Sequence, residues 1–179
     1  MKEVVLVVDM INDFVYDKFG SDGAKKIIPN LKNLLKSAKK SGKIVIYAQD
    51  NHSEKDPEMD VWGEHAMEGE KGSETVDEIK DLEDILVKKT TYNPFFKTEL
   101  DQILKENNIE KIIIAGVSTD ICVQHTAGAA FIRGYDVIVL EDCTASMSKD
   151  KHESALEYMK NIYGAVITKS KDIIERWNE

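Results

Sequence analysis

Lys111-Ile-Ile-Ile-Ala-Gly-Val-Ser-Thr-Asp-Ile-Cys-Val-Gln-His-Thr-Ala127 decides how this chain is read. Residues Ile112–Ala115 are apolar without alternation, the pattern of a strand covered on both faces. Gly116 and the polar residues after it mark a sharp turn. A helical pattern then runs from Cys122 to Arg133, where Gly134 stops it. A strand feeding straight into a helix is half of a βαβ unit, so a parallel sheet is expected. The junction also puts Cys122 at a helix start, where unpaired backbone N–H groups carry partial positive charge. That field favours thiolate over thiol and suits a nucleophile. The ordinary reading of a lone cysteine, a small buried hydrophobe, stands beside it.

The same punctuation repeats along the chain. Val4–Val8, Ile44–Ala48, Ile85–Val87, Val137–Leu140 and Ala165–Thr168 read as five further strands. Between them Lys25–Lys40, Thr98–Glu106, Lys149–Asn161 and Lys171–Trp177 carry apolar residues at helical spacing. Alternation of strand and helix, with Asp50–Gly72 the exception, predicts one α/β domain over residues 1–179. Its expected form is a three-layer α/β/α arrangement, Rossmann-like, around a six-stranded, mostly parallel sheet. Ligands of such sheets bind beyond the carboxyl ends of the strands. One segment, Asp50–Gly72, is polar and aperiodic, and long irregular connections of this kind are commonly functional.

Composition narrows the partners. The chain is 42% hydrophobic and 32% charged, which fits a globular protein rather than a disordered one. A net charge of −9 argues against nucleic acid and anionic membranes as partners. No apolar run approaches the roughly 20 residues of a membrane span. No signal-peptide pattern is visible, so the cytoplasm is the expected compartment. Two cysteines make no disulfide framework.

The strand ends carry the chemistry. Asp9 follows the first strand, Asp50-Asn51-His52 the second, Lys88-Lys89 the third and Cys122 the fourth. Alone, Asp9 would read as a helix cap or loop acid. Together, a carboxylate can take the thiol proton and an ammonium can hold both as anions, which supports attack on a carbonyl carbon. Consecutive N–H groups at Ser118–Cys122 are candidate oxyanion donors. Asp50 and His52, two residues apart in an extended segment, point the same way, and His65 from the polar loop offers a third ligand. Two histidines and a carboxylate suit Zn²⁺ or Fe²⁺, with Mn²⁺ a further alternative. Glu54, Glu58 and Glu64 each either complete such a shell or face solvent.

Three blocks in order, Val8-Asp9-Met10-Ile11-Asn12-Asp13-Phe14, Lys89-Thr90-Thr91-Tyr92-Asn93-Pro94-Phe95 and Gly116-Val117-Ser118-Thr119-Asp120-Ile121-Cys122-Val123, resemble the signatures of the isochorismatase-like cysteine hydrolases. Asp50-Asn51-His52 and Trp62-Gly63-Glu64-His65 resemble the metal and substrate segments of the nicotinamidases within that family. The resemblance implies Cys122 as nucleophile, Asp9 as general base and acid, and Lys89, which stands three residues before Tyr92, as the tuning cation. It implies a cis peptide at Val117–Ser118 beside the oxyanion site and a Zn²⁺ on Asp50, His52 and His65. Phe14, Trp62 and Tyr92 would contact a planar substrate. The implied reaction is hydrolysis of a small-molecule amide, nicotinamide first, through a cysteine thioester. Related substrates are N-carbamoylsarcosine, maleamate and ureidoacrylate, with isochorismatase itself a further alternative. Dimers or tetramers of one chain are implied as well.

Other residues receive plainer readings. His125, three residues after Cys122, reads as a helix-surface or packing residue and Cys143 as structural. His152 reads as solvated, and Trp177 as packing for the last helix or a subunit contact. A non-catalytic alternative is a binding module or a redox protein using Cys122 and Cys143.

Overall fold

The computed structural model describes residues 1–179. The apolar runs become strands because helices cover both of their faces. The strands are β1 (Glu3–Val8), β2 (Ile44–Asp50), β3 (Ile85–Lys89), β4 (Lys111–Val117), β5 (Asp136–Ala145) and β6 (Val166–Thr168). They lie in the order β3-β2-β1-β4-β5-β6, and every pairing is parallel. Even-numbered residues of β1, such as Val4 and Leu6, face one core, and odd-numbered Val5 and Val7 face the other. Each core holds 23 buried residues, so neither face is left open.

The first core is closed by α5 (Leu100–Glu106), α6 (Gln124–Ile132) and α7 (Lys149–Tyr163). The second is closed by α1 (Asn12–Val15), α2 (Asp22–Lys26), α3 (Ile28–Lys40) and α8 (Ser170–Asn178). Leu31, Leu34, Leu35 and Ala38 form the buried stripe of α3. Burying a leucine contributes about 1.5–3 kcal/mol, so this stripe alone anchors the helix. No helix is long and apolar enough to cross a membrane.

Four boundaries differ from expectation, each for a local reason. The helix expected at Lys25–Lys40 is two helices, because Pro29 lacks an N–H and starts α3 afresh. The helix expected to open at Cys122 is preceded by a π turn, Thr119–Val123, which carries the cysteine into α6. β5 runs past Leu140 to Ala145, although Glu141 and Asp142 interrupt its apolar run. The polar segment 50–72 contains a short helix, α4 (Glu58–Trp62), too brief for periodicity to reveal.

Strand order reverses between β1 and β4, where the chain steps from one half of the sheet to the other. Crevices at that reversal are where open α/β sheets hold ligands. β4 closes on β1 there more tightly than a side chain permits. A Cβ on Gly116 would lie 2.0 Å from the Val8 carbonyl oxygen, and Gly116 sits at φ +114. Glycine is therefore required where the two strands deliver their ends to the site.

Candidate active site

Asp9 leaves β1 at φ +53, a left-handed conformation that aspartate tolerates better than most residues. This turn swings its carboxylate across to β2, where Oδ1 accepts the Asp50 N–H at 2.8 Å. Register then does the rest. Asp50, last in β2, pairs with Lys89, last in β3. The Lys89 ammonium lies 2.9 Å from Asp9 Oδ2 and 2.5 Å from Asp50 Oδ1. It also points at Cys122 Sγ, 3.7 Å away. Ligand atoms of Asp9, Asp50 and Cys122 all lie within 4.8 Å of one another. Asp9 and Lys89 are fully buried. The third-strand lysine that reaches the centre is Lys89, while Lys88 is exposed. The peptide bond Val117–Ser118 is cis.

Electrostatics follow from this crowding. Burial, then the neighbouring Asp50, lifts Asp9 to about 6, with Lys89 opposing both. Burial also pushes the Cys122 thiol well above its ordinary range; Lys89 pulls it down, and Asp9 and Asp50 push it up again. The expectation that a helix start would favour the thiolate is thus reversed. Around Cys122, burial and the two carboxylates together outweigh the Lys89 ammonium.

Asp50 joins this centre to a second one. Asp50, His52, Glu58 and His65 are all buried, and their ligand atoms fall within 4.8 Å of one another. His52 Nδ1 faces Asp56 Oδ2 at 3.1 Å and His65 Nδ1 faces the Gly63 carbonyl at 2.7 Å. Each Nδ1 faces an oxygen acceptor, so each ring turns Nε2 toward the cluster, the orientation a metal ligand needs. His52 Nε2 and Glu58 Oε1 are buried without a hydrogen-bond partner. Burial pushes His52 down, yet Asp50, Glu58 and Asp56 raise it to about 10, so a proton takes up the demand for positive charge. Two imidazoles, two carboxylates and orphaned ligand atoms fit a divalent cation. Of the three glutamates left open by the sequence, Glu58 joins the cluster, whereas Glu54 and Glu64 are exposed.

Both centres open into one cavity of about 200 Å³. Phe14, Trp62 and Tyr92 line it, together with Phe19, which sequence reasoning missed. The Trp62 ring N–H donates to the Tyr92 hydroxyl at 2.8 Å, fixing one wall. Ser118, Asp120, Ser146 and Lys151 line the cavity as well. Asp120 accepts from the Ser118 hydroxyl at 2.7 Å and from the Ser146 hydroxyl. Ser146 follows the true end of β5, so the strand-end rule would have found it had that end been read correctly.

The remaining residues sort cleanly. His125 bonds to the Ile121 carbonyl through Nδ1 at 2.8 Å and is exposed. His152, expected in solvent, is half-buried, and its Nδ1 lies 2.8 Å from the Thr119 hydroxyl. Both cysteines are free, and they belong to cores on opposite faces of the sheet, which removes a redox pair.

A thiol, a carboxylate and an ammonium are buried together at the switch point of a parallel α/β sheet, a set suited to nucleophilic chemistry. Comparison with known proteins gives the family. The Isochorismatase domain family matches residues 3–171, and the chain belongs to it. N-carbamoylsarcosine amidase from Thermoplasma acidophilum is 36% identical, with a TM-score of 0.89 over 95% of this chain and 97% of that one. Nicotinamidase PncA from Bacillus subtilis is 29% identical, with a TM-score of 0.89 over 94% and 100%. The pyrazinamidase of Pyrococcus horikoshii, solved in complex with zinc, is 28% identical, with a TM-score of 0.86 over 94% and 99%. This chain is an isochorismatase-family hydrolase, from a family that acts on amides and related bonds.

Proposed function

We propose that the chain is a metal-dependent nicotinamidase, converting nicotinamide and water to nicotinate and ammonia. The observation that carries this reading is the shared carboxylate. Asp50 touches Lys89 on one side and the His52 cluster on the other, within one aromatic-lined cavity. Cys122 is the nucleophile. Its proton passes to Asp9 as sulfur attacks the amide carbon, and Lys89 holds the developing negative charge. Backbone N–H groups at Ser118 and Cys122 serve the oxyanion beside Val117. Asp9 then gives its proton to the departing nitrogen, leaving a thioester and free ammonia. Water adds to the thioester, Asp9 takes its proton, and the acid leaves as the thiol is restored. Asp50, His52, Glu58 and His65 would hold a Zn²⁺ ion, which would supply a Lewis acid to the ring nitrogen of a pyridine amide. Phe14, Phe19, Trp62 and Tyr92 orient the planar ring.

Ammonia release from nicotinamide tests the reading. The protein is expected to turn nicotinamide over, to lose activity on chelation and regain it with Zn²⁺, and to lose it in Cys122→Ala. Turnover by Cys122→Ala, or none by wild type loaded with Zn²⁺, Fe²⁺ or Mn²⁺, would sink it. Lys151, lining the same cavity with Ser118 and Ser146, favours a second reading. A cation there suits a carboxylate-bearing ureido substrate of the N-carbamoylsarcosine type. That amide, tested beside nicotinamide with and without chelator, separates the two.

A further inference from the structure

The turn after β1 holds a second buried acid that the chemistry above leaves unused. Asp13 is 6% exposed, and its Oδ2 accepts the Ala66 backbone N–H at 2.7 Å. Ala66 sits at φ +46, a conformation that a residue with a Cβ keeps only when its surroundings impose it. From Ala66 the constraint reaches both histidines. His65 precedes it directly. The Ala66 carbonyl accepts the His52 N–H at 2.8 Å, and the Glu68 N–H returns to the His52 carbonyl at 2.8 Å. Asn12 ties down the far side of the same loop, donating through Nδ2 to the Lys71 and Glu74 carbonyls at 2.9 and 3.1 Å. The loop also makes room for the acid, since a Cβ on Gly72 would lie 2.4 Å from Asp13 Oδ2.

We infer that Asp13 is a positioning residue of the metal centre. Its carboxylate holds the 65–67 backbone so that His52 and His65 aim at one ion, while touching neither ion nor substrate. The inference rests on reading the four-residue cluster as a metal site. Outer partners of this kind change metal affinity by about 10–100-fold.

Zn²⁺ titrated into metal-stripped protein against a chromogenic chelator tests it without any turnover. Asp13→Ala removes the acceptor for Ala66 and is expected to raise the Zn²⁺ Kd by about 10–100-fold. Asp13→Asn keeps an oxygen acceptor and is expected to bind close to wild type. Gly72→Ala presses a methyl against the carboxylate and is expected to weaken Zn²⁺ binding. It should add nothing in the Asp13→Ala background, where the methyl has room. Gly72→Ala carries the test alone should Asp13→Ala fail to fold. A merely structural Asp13 would lower the Tm of the metal-free protein without moving the Zn²⁺ Kd, and that result overturns the inference. Wild type that binds no Zn²⁺, like an Asp50→Ala control, overturns the metal reading and the inference with it. Tight binding by wild type, Asp13→Ala and Gly72→Ala alike overturns the inference alone.

Discussion

Asp9 is the residue on which the proposed chemistry is most exposed to test. It has to be ionised to take a proton from Cys122, and burial with Asp50 beside it lifts its pKa to about 6. Below that value the acid is protonated and cannot accept. The acid limb of kcat/KM is therefore expected near pH 6, with activity falling about tenfold per unit below it, as one required ionisation demands. Asp9→Asn is expected to lose about 10²–10⁴-fold in kcat. A flat pH profile from 5 to 7, or an active Asp9→Asn, would remove Asp9 from its role. At this scale the sequence was informative because each residue followed an apolar run, and a charge there has nowhere to go except a cavity. On thiol ionisation the helix-start expectation pointed the wrong way. Whether a helix-end field or desolvation wins depends on how deeply Cys122 is enclosed, and loops distant in sequence decide that.

Among the elements, the strands were legible because two-sided burial writes itself as unbroken apolar runs, as in Val4–Val8 and Ile112–Ala115. Elements that stay short or break the pattern were not. α4 has five residues, and the outer part of β5 includes Glu141 and Asp142, so neither carried a periodic signal. The loss was concrete: with β5 ended at Leu140, Ser146 and the wall it shares with Asp120 went unread. Gly116 was legible as turn punctuation, but not as the contact that sets the spacing of β1 and β4. The β1–β4 register runs unbroken to Val8 and Gly116, whereas the pairing of β4 with β5 shifts between Ile114 and Gly116. Gly116→Ala must accommodate a Cβ against the Val8 carbonyl and a positive φ together. Each effect costs about 1–3 kcal/mol, so a loss of about 2–6 kcal/mol in urea unfolding is expected, together with loss of activity. An unchanged unfolding midpoint would mean that the strands part freely there.

In the whole molecule, the sheet divides its labour by end. The carboxyl ends of β1, β2 and β3 gather the buried charges Asp9, Asp50 and Lys89, and the amino end of β1 holds one that fastens the fold. Glu3 opens β1 only 8% exposed. It accepts from the Trp177 ring N–H at 2.5 Å and the Arg176 guanidinium at 2.6 Å, and Lys43 lies 3.3 Å away. Trp177, expected to pack or to meet another subunit, thus closes the last helix of the chain onto its first strand. Sequence could not pair residues so far apart, because neither Glu3 nor Arg176 sits in a pattern that names its partner. Burial pushes Glu3 up, but Trp177, Arg176 and Lys43 together outweigh it and hold the carboxyl below its ordinary 4.5. A pKa lowered on folding gives stability that is complete above the unfolded value and disappears as pH falls through the folded one. Glu3→Gln removes that titration and keeps the shape. It is expected to be about 1–2 kcal/mol less stable than wild type at pH 7 in urea unfolding. The gap should hold down to about pH 5 and close as pH drops below the ordinary carboxylate range. A gap that stays constant to pH 3 would show that Glu3 fastens the two ends through shape and neutral hydrogen bonds, with its charge contributing nothing.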